Sequence, residues 1–239
     1  MPPRGRALTT AAWIRRLALR GSLAWLVLAS FAVIALALFG FAEIADGIGP
    51  DEDLHLFDRR IAEALRAHVS EGVVAFFAVI TGLGSGLAIT VLGAAVSTAL
   101  IAKRRLIELY AWILALAGSG LLNVTLKGWF MRDRPGDTPL LASWSFPSAH
   151  AMNGFVAYGM LVYLLARAAR RGVLPAAVAV ASAIVLLVGA SRIVLGFHYF
   201  TDVIGGYAAG LAWLAVCVTF SEVALRRRRL ISTDSGRSP

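Results

Sequence analysis

Cysteine is all but missing from this chain of 239 residues, and its single thiol, Cys217, lies within an apolar run, so no disulfide framework holds the fold. Cys217 is expected to act as a small packing residue. Charge is scarce as well. Asp, Glu, Lys and Arg make up 15% of the chain against 59% hydrophobic residues, and the mean hydropathy is +0.75, which excludes a soluble domain of this length. Negative charge is the scarcest, with 14 acidic residues against 23 basic ones and a net charge of +9. Such a balance raises the question of nucleic acid. The basic residues gather at the ends of apolar runs instead, a pattern set by a membrane, and no nucleic-acid module is recognisable.

What is present is a series of long apolar runs. A helix rises about 1.5 Å per residue, so roughly 20 apolar residues cross the hydrocarbon. Six segments qualify, near Leu23 to Ala42, Val73 to Ala102, Leu106 to Leu126, Ala149 to Ala166, Val173 to Ala190 and Val203 to Val223. The second is long enough to tilt or bend. The first follows Arg15, Arg16 and Arg20 but exceeds the apolar core of a signal peptide, so it reads as a retained anchor. The expected fold class is therefore all-α: a polytopic membrane protein of six transmembrane helices.

Six crossings place both termini on one side. Arg4, Arg6, Arg15, Arg16, Arg20, Lys103, Arg104, Arg105, Arg167, Arg170, Arg171, Arg226 to Arg229 and Arg237 share that side. Arg59, Arg60, Arg66, Lys127, Arg132, Arg134 and Arg192 remain on the other. Positive-inside makes the first side cytoplasmic, with Arg226 to Arg229 a topology anchor against anionic lipid. The organisation reads as a basic cytoplasmic segment over 1–22, a six-helix domain over 23–225 and a basic cytoplasmic tail over 226–239. Within it, 43–72 forms an outer loop. There Phe57, Ile61 and Leu65 recur at helical spacing among Asp58, Arg59, Arg60 and Glu63, as in an amphipathic helix that either covers a site or merely connects two spans. His55 and His68 read as surface histidines. Gly82 with Gly86, and Gly206 with Gly210, have the spacing that lets membrane helices approach closely. Asn123 is expected to bond across helices, and Trp129, Phe130, Trp144, Tyr199 and Phe200 to form an interfacial aromatic belt.

Polar residues beside such runs need a reason, because an ionisable group at membrane depth is costly and by default functional. Lys127 and Arg134 follow the third span, Ser148 and His150 open the fourth, Ser191 and Arg192 end the fifth, and His198 and Asp202 open the sixth. All fall on the outer side. His198 and Asp202 are four apart, so on a helix they share a face where a carboxylate holds the imidazole in one tautomer. Ser148 and the backbone N–H of Ala149 sit at a helix start, where partial positive charge favours a phosphate. Lys127 offers a mobile point charge, while Arg134 and Arg192 offer planar forks that match phosphate oxygens. In isolation, Arg132, Asp133 and Arg134 read as a self-paired solvated loop.

In order and spacing these residues resemble the phosphatidic acid phosphatase type 2 superfamily, which also takes in bacterial acid phosphatases and vanadium haloperoxidases. Three motifs carry the resemblance: Lys127, six residues, then Arg134-Pro135; Pro147-Ser148-Ala149-His150; and Ser191-Arg192, five residues, His198, three residues, Asp202. The second motif usually reads Pro-Ser-Gly-His, and Ala149 replaces the glycine, a change expected to be harmless unless the position needs positive φ.

The resemblance implies that His198 attacks phosphorus to form a phosphohistidine, that Asp202 orients it, and that His150 protonates the leaving oxygen and then activates water. It implies that Lys127, Arg134, Ser148, Ala149 and Arg192 bind the phosphoryl group, with Ser191 in support and no metal or other cofactor. The expected partner is a membrane lipid phosphate within the bilayer: phosphatidic acid, phosphatidylglycerol phosphate or undecaprenyl diphosphate. The expected location is a bacterial inner membrane with the site on the extracytoplasmic side. Two rival readings stand beside it, a phosphotransferase using the same intermediate and a transporter of an anion or lipid phosphate. Nothing in the residues selects vanadate over phosphate.

Overall fold

A computed structural model of the chain describes residues 10–49, 52–136, 144–168 and 171–235. Arg4, Arg6, Asp137, Arg170 and Arg237 lie outside these residues. The described fold is all helical: α1 (Thr10–Asp46), α2 (Asp53–His68), α3 (Glu71–Ile80), α4 (Gly86–Ala102), α5 (Leu106–Phe130), α6 (Ala149–Ala168), α7 (Leu174–Val194) and α8 (Phe200–Ser235). Five helices, α1 from Ser22 onward, α5, α6, α7 and α8, are each long and apolar enough to cross a bilayer. Helices α1 and α8 extend past their apolar runs, so backbone helix covers the basic stretches at Arg15 to Arg20 and Arg226 to Arg229.

The span expected over Val73 to Ala102 is not one tilted helix. It divides into α3, a 3₁₀ turn at Thr81–Gly84, and α4. The sequence there is Thr-Gly-Leu-Gly-Ser-Gly, in which three glycines weaken the helix and the Ser85 hydroxyl caps α4 by accepting the Ala88 N–H at 3.2 Å. Before it, α2 meets α3 at a bend of 118°, so the amphipathic stretch forms a helix of its own.

Helix α8 is the hub, packed against α1, α5 and α6, while α7 packs on α3 and α6. At the centre, Trp112, Ala115, Val156, Met160 and Cys217 form a dry core, with Cys217 a buried packing residue as expected. Its tryptophans find partners in helix carbonyls: Trp112 Nε1 donates to Gly93 O and Trp213 Nε1 to Ala115 O, each at 3.1 Å. Gly206 and Gly210 allow the expected close approach, since a Cβ at either would lie about van der Waals distance or less from the α6 backbone, 2.9 Å from Ser148 O and 3.1 Å from Met152 O. Gly82 and Gly86 correct the expectation, because both face open space. Gly84 between them makes the close contact, where a Cβ would lie 2.4 Å from Val188 Cγ1 and 3.3 Å from His150 Cδ2.

A polar network fastens the end of the bundle away from the three motifs. Glu222 of α8 accepts from Arg167 Nη1, from Tyr163 Oη at 3.0 Å and from Arg226 Nε at 3.3 Å, and Arg105 pairs with Glu108 at 3.1 Å.

Candidate active site

Four helix ends and the described residues that connect them build the other end. After α5, Met131 adopts a left-handed conformation (φ 44°) and its N–H returns to Lys127 O at 3.0 Å. This closes the helix and turns Arg132 and Arg134 inward. The returning segment is stitched down by Ser145 N–H to Arg132 O at 2.7 Å and Asn123 Nδ2 to Pro147 O at 3.1 Å, and Asn123 Nδ2 also reaches across to α6 as expected, 3.7 Å from Met152 Sδ. Phe41, Phe130 and Phe146 pack ring against ring there. After α7, Gly196 takes φ 69°, a region open to glycine. The N–H groups of Phe197 and His198 both reach Arg192 O, at 3.0 and 3.1 Å. That turn carries His198 back against the start of α8.

His198 and Asp202 meet as their spacing predicts, with Nδ1 3.3 Å from Oδ2 and both residues buried. The carboxylate has further donors: Tyr199 N–H at 2.8 Å, the Ser145 hydroxyl, and Arg132 Nη1 at 2.7 Å. The Tyr199 contact is half of a capping box, an acidic residue in the first turn satisfying the N-cap amide. The other face of the imidazole looks toward Arg134, whose Nη1 is 3.4 Å from His198 Nε2 and donates to Phe197 O at 2.7 Å. Burial, only partly offset by the hydrogen bond and charge of Asp202 and reinforced by Lys127 and Arg134, pushes the His198 pKa down to about 4. The ring is therefore neutral near pH 7.

Lys127 is buried and held, donating to the carbonyls of Trp144 and, at 3.3 Å, Ser145. The mobile point charge expected there is in fact fixed, because the Trp144–Ser145 backbone folds over it. Arg192 donates to Thr81 Oγ1 at 2.9 Å, and its guanidinium stacks 4.4 Å from the Phe197 ring centre. The break between α3 and α4 thus supplies a partner for this cation. Ala149 is the first residue of α6 and has helical backbone, so the alanine at the glycine position is unstrained. Ser148 donates its N–H to Asp202 O at 2.9 Å, while its hydroxyl is buried with no hydrogen-bond partner among the described residues. His150, in the first turn of α6, lies within electrostatic reach of Arg192, His198, Arg134 and Lys127. Ser191 does not join them: its hydroxyl turns back to Val188 O, 2.5 Å away in its own helix.

Several residues in this cluster were not singled out by sequence. Arg132 is buried between Asp202 and Asp58 of α2, 2.8 Å from the latter. Asp58 has no exposed surface and accepts the Thr201 N–H at 3.1 Å. The solvated-loop expectation for Arg132 and the polar-face expectation for Asp58 are both overturned, since each is the other's buried counter-charge. His55 is likewise not a free surface histidine, because its ring packs edge-on against Tyr199 and its Nδ1 lies 3.4 Å from Arg132 Nη2. Tyr199 leaves the expected aromatic belt to lie under the Arg132 guanidinium, 4.4 Å away, whereas Trp129 and Trp144 are exposed.

Against known proteins, the model of the PAP2 superfamily matches residues 108–226. Phosphatidylglycerophosphatase B of Bacillus subtilis is 36% identical over 126 residues, a match that spans 49% of this chain and 60% of that protein's length. The crystal structure of a transmembrane PAP2-type phosphatidylglycerolphosphate phosphatase from Bacillus subtilis superposes with a TM-score of 0.69 at 28% identity, over 77% of this chain and 93% of the other. The fold also resembles that of LpxE from Aquifex aeolicus, with a TM-score of 0.50 at 23% identity over 68% of this chain and 92% of the other.

Proposed function

We propose that this chain, which belongs to the PAP2 superfamily, is a multi-pass membrane phosphatase that hydrolyses the phosphate of a lipid through a phosphohistidine. The observation that carries the reading is the cluster around His198: a neutral imidazole held at Nδ1 by Asp202, its Nε2 toward Arg134, beside Lys127, Arg192 and a buried Ser148 hydroxyl with no partner among the described residues. A buried hydroxyl without a partner is costly, and a phosphoryl oxygen would satisfy it.

In this mechanism Asp202 keeps the proton on Nδ1, so the lone pair of Nε2 attacks phosphorus. As the N–P bond forms, the bond to the lipid oxygen breaks and His150 gives that oxygen a proton. Water then attacks the phosphohistidine, His150 takes the proton back, and inorganic phosphate leaves with the imidazole restored. Arg134, Arg192, Lys127, Ser148 Oγ and the Ala149 N–H hold the non-bridging oxygens as charge develops on them. All these groups sit at helix ends, near one end of the bundle. That favours an enzyme at the interface over a transporter, which binds substrate near the midplane on broken helices. The excess of basic residues at the other end supports a site that faces the extracytoplasmic side of an inner membrane.

The lipid chain has a place to lie. Between α6, α7 and α8 a cavity of about 320 Å³ is lined by Phe155, Val162, Val178, Ala181, Leu186 and Leu214 among others. Phe155 lies five residues beyond His150, so the cavity begins about 7.5 Å along α6 from the site. Phosphatidylglycerol phosphate is the first substrate to test, with phosphatidic acid and undecaprenyl diphosphate beside it.

Phosphate release from this panel by purified protein, against a His198→Ala variant, tests the reading. Release by the parent alone is expected; release from none of the lipids, or equal release by the variant, would reject it. Adding a lipid or sugar alcohol and analysing products distinguishes hydrolysis from phosphotransfer. Sidedness follows from a cysteine placed at the exposed Asp133, which should react with an impermeant maleimide added outside intact cells.

A further inference from the structure

We infer that Arg132 and Asp58 are positioning residues that hold Asp202, and through it His198, in working geometry, an inference that rests on the proposed role of His198. Arg132 spends both amino groups inward. Nη1 reaches Asp202 Oδ1 at 2.7 Å and Thr201 Oγ1 at 2.8 Å, Nη2 reaches Asp58 Oδ2 at 2.8 Å, and the face of the guanidinium lies on Tyr199. A planar fork is the side chain suited to bridging two carboxylates in fixed directions. Both amino groups are so committed, Nε being buried with no partner among the described residues, and through Asp202 Arg132 acts on the imidazole.

Asp58 fixes the other half of the bridge. Its Oδ1 accepts the Thr201 N–H at 3.1 Å and its Oδ2 accepts the Thr201 hydroxyl as well as Arg132. It therefore caps the start of α8 from a different helix, satisfying an amide that the helix itself leaves without a partner. Asp202 sits in that same first turn, so Asp58 sets the direction of α8 where the His198–Asp202 contact is made. Without Arg132, two buried carboxylates would face one helix turn with no cation between them, and an uncompensated buried charge is strongly unfavourable. Helix α2 is thereby more than a cover: its one fully buried acidic side chain reaches the second neighbour of the proposed nucleophile.

The experiment is a double-mutant cycle on lipid phosphate hydrolysis, using Arg132→Lys, Asp58→Asn and Asp202→Asn in the full chain below each protein's own melting midpoint. Lysine keeps the charge but loses the fork, and asparagine keeps the shape of Asp58 but loses its charge. Each is expected to lower kcat by about tenfold or more while KM stays within about threefold. In the Asp202→Asn background each should cost less than about twofold, because the residue it acts through has already been changed. Effects that multiply across the cycle, or that fall on KM, overturn the inference even when the parent is active.

A second readout does not depend on turnover. In ¹⁵N-histidine NMR of the solubilised protein, the His198 signals are those missing from His198→Ala. They should show a protonated Nδ1 in the parent and shift in Arg132→Lys and Asp58→Asn. Unchanged signals overturn the inference whatever the parent hydrolyses, whereas shifted signals in a protein inactive on every lipid leave it standing and reject the phosphatase reading.

Discussion

Replacing Asp202 by asparagine removes one charge and no volume, which makes it the sharpest probe of the site. The carboxylate accepts four hydrogen bonds, from Arg132 Nη1 on Oδ1 and from His198 Nδ1, Tyr199 N–H and the Ser145 hydroxyl on Oδ2. An amide has one oxygen and one NH₂. With its oxygen toward Arg132 it points NH₂ at three donors; with its oxygen toward His198 it points NH₂ at a buried guanidinium. The first arrangement frees the imidazole to flip its proton to Nε2, which disarms it. The second sets NH₂ against a guanidinium that can only donate, whereas in the first His198 and Ser145 can each turn an acceptor toward it; Asp58 stays the counter-charge of Arg132 in both. The second is therefore the less favourable, so the amide should settle with oxygen toward Arg132 and the tautomer should be lost. By analogy with other histidines that depend on an orienting carboxylate, kcat should fall by roughly 10²–10⁴. The assay is phosphate release from lipid in detergent, with a rapid-quench measurement of phosphohistidine formation. A folded Asp202→Asn protein within about tenfold of the parent kcat would refute the reasoning.

Three further outcomes follow from the geometry. Ser148→Ala deletes a buried hydroxyl with no partner among the described residues, so kcat/KM should drop by about 10–10² while thermal stability holds or rises, since an unsatisfied buried group costs about 1–3 kcal/mol; a loss of stability with intact kinetics would contradict it. Gly84→Ala puts a methyl 2.4 Å from Val188 Cγ1 and 3.3 Å from His150 Cδ2. The overpacking should displace His150 and slow hydrolysis of alkyl phosphates more than of p-nitrophenyl phosphate, whose leaving group needs no proton, and equal slowing of both would count against it. The pH dependence of stability has a definite sign. His198 protonates near 4 in the folded chain and near 6.5 when unfolded, so the unfolded state takes up its proton first as pH falls. Stability from this residue is complete above about 6.5, declines through that window and is lost by about 4, a total of about 3 kcal/mol. Melting curves of the parent and His198→Asn at pH 7.5 and 4.5 should therefore converge at the lower pH, and parallel curves would refute the shift.

Most of the helices and the reactive groups of the site were legible in sequence because the membrane makes polar residues conspicuous. A lysine, arginines, histidines and an aspartate beside apolar runs need partners, and the i, i+4 spacing of His198 and Asp202 specified one contact outright. What stayed hidden depends on partners far along the chain. Arg132 stands next to Asp133, so locally it reads as neutralised by its neighbour, yet its carboxylates come from Asp58 and Asp202 on two other helices. Asp58 lies among Arg59, Arg60 and Glu63, where periodicity alone assigns it to a wet face. Ser145 donates to Asp202 but precedes the recognisable motif. The glycines around Thr81–Gly84 read as a packing stripe within one span, whereas they break the helix and leave a hydroxyl for Arg192. Ser191 shows the reverse limit, since a residue inside a motif spends its hydroxyl on its own helix.

The start of α8 and the proposed nucleophile share one set of bonds. The amide protons of Tyr199 and Thr201 end on Asp202 and Asp58, the same two carboxylates that Arg132 joins. That first turn cannot fray without dismantling the centre beside it, so deuterium uptake at these two amides becomes a clock for how often the protein visits a silent form. Slow uptake would mark a centre that is preassembled before any lipid arrives.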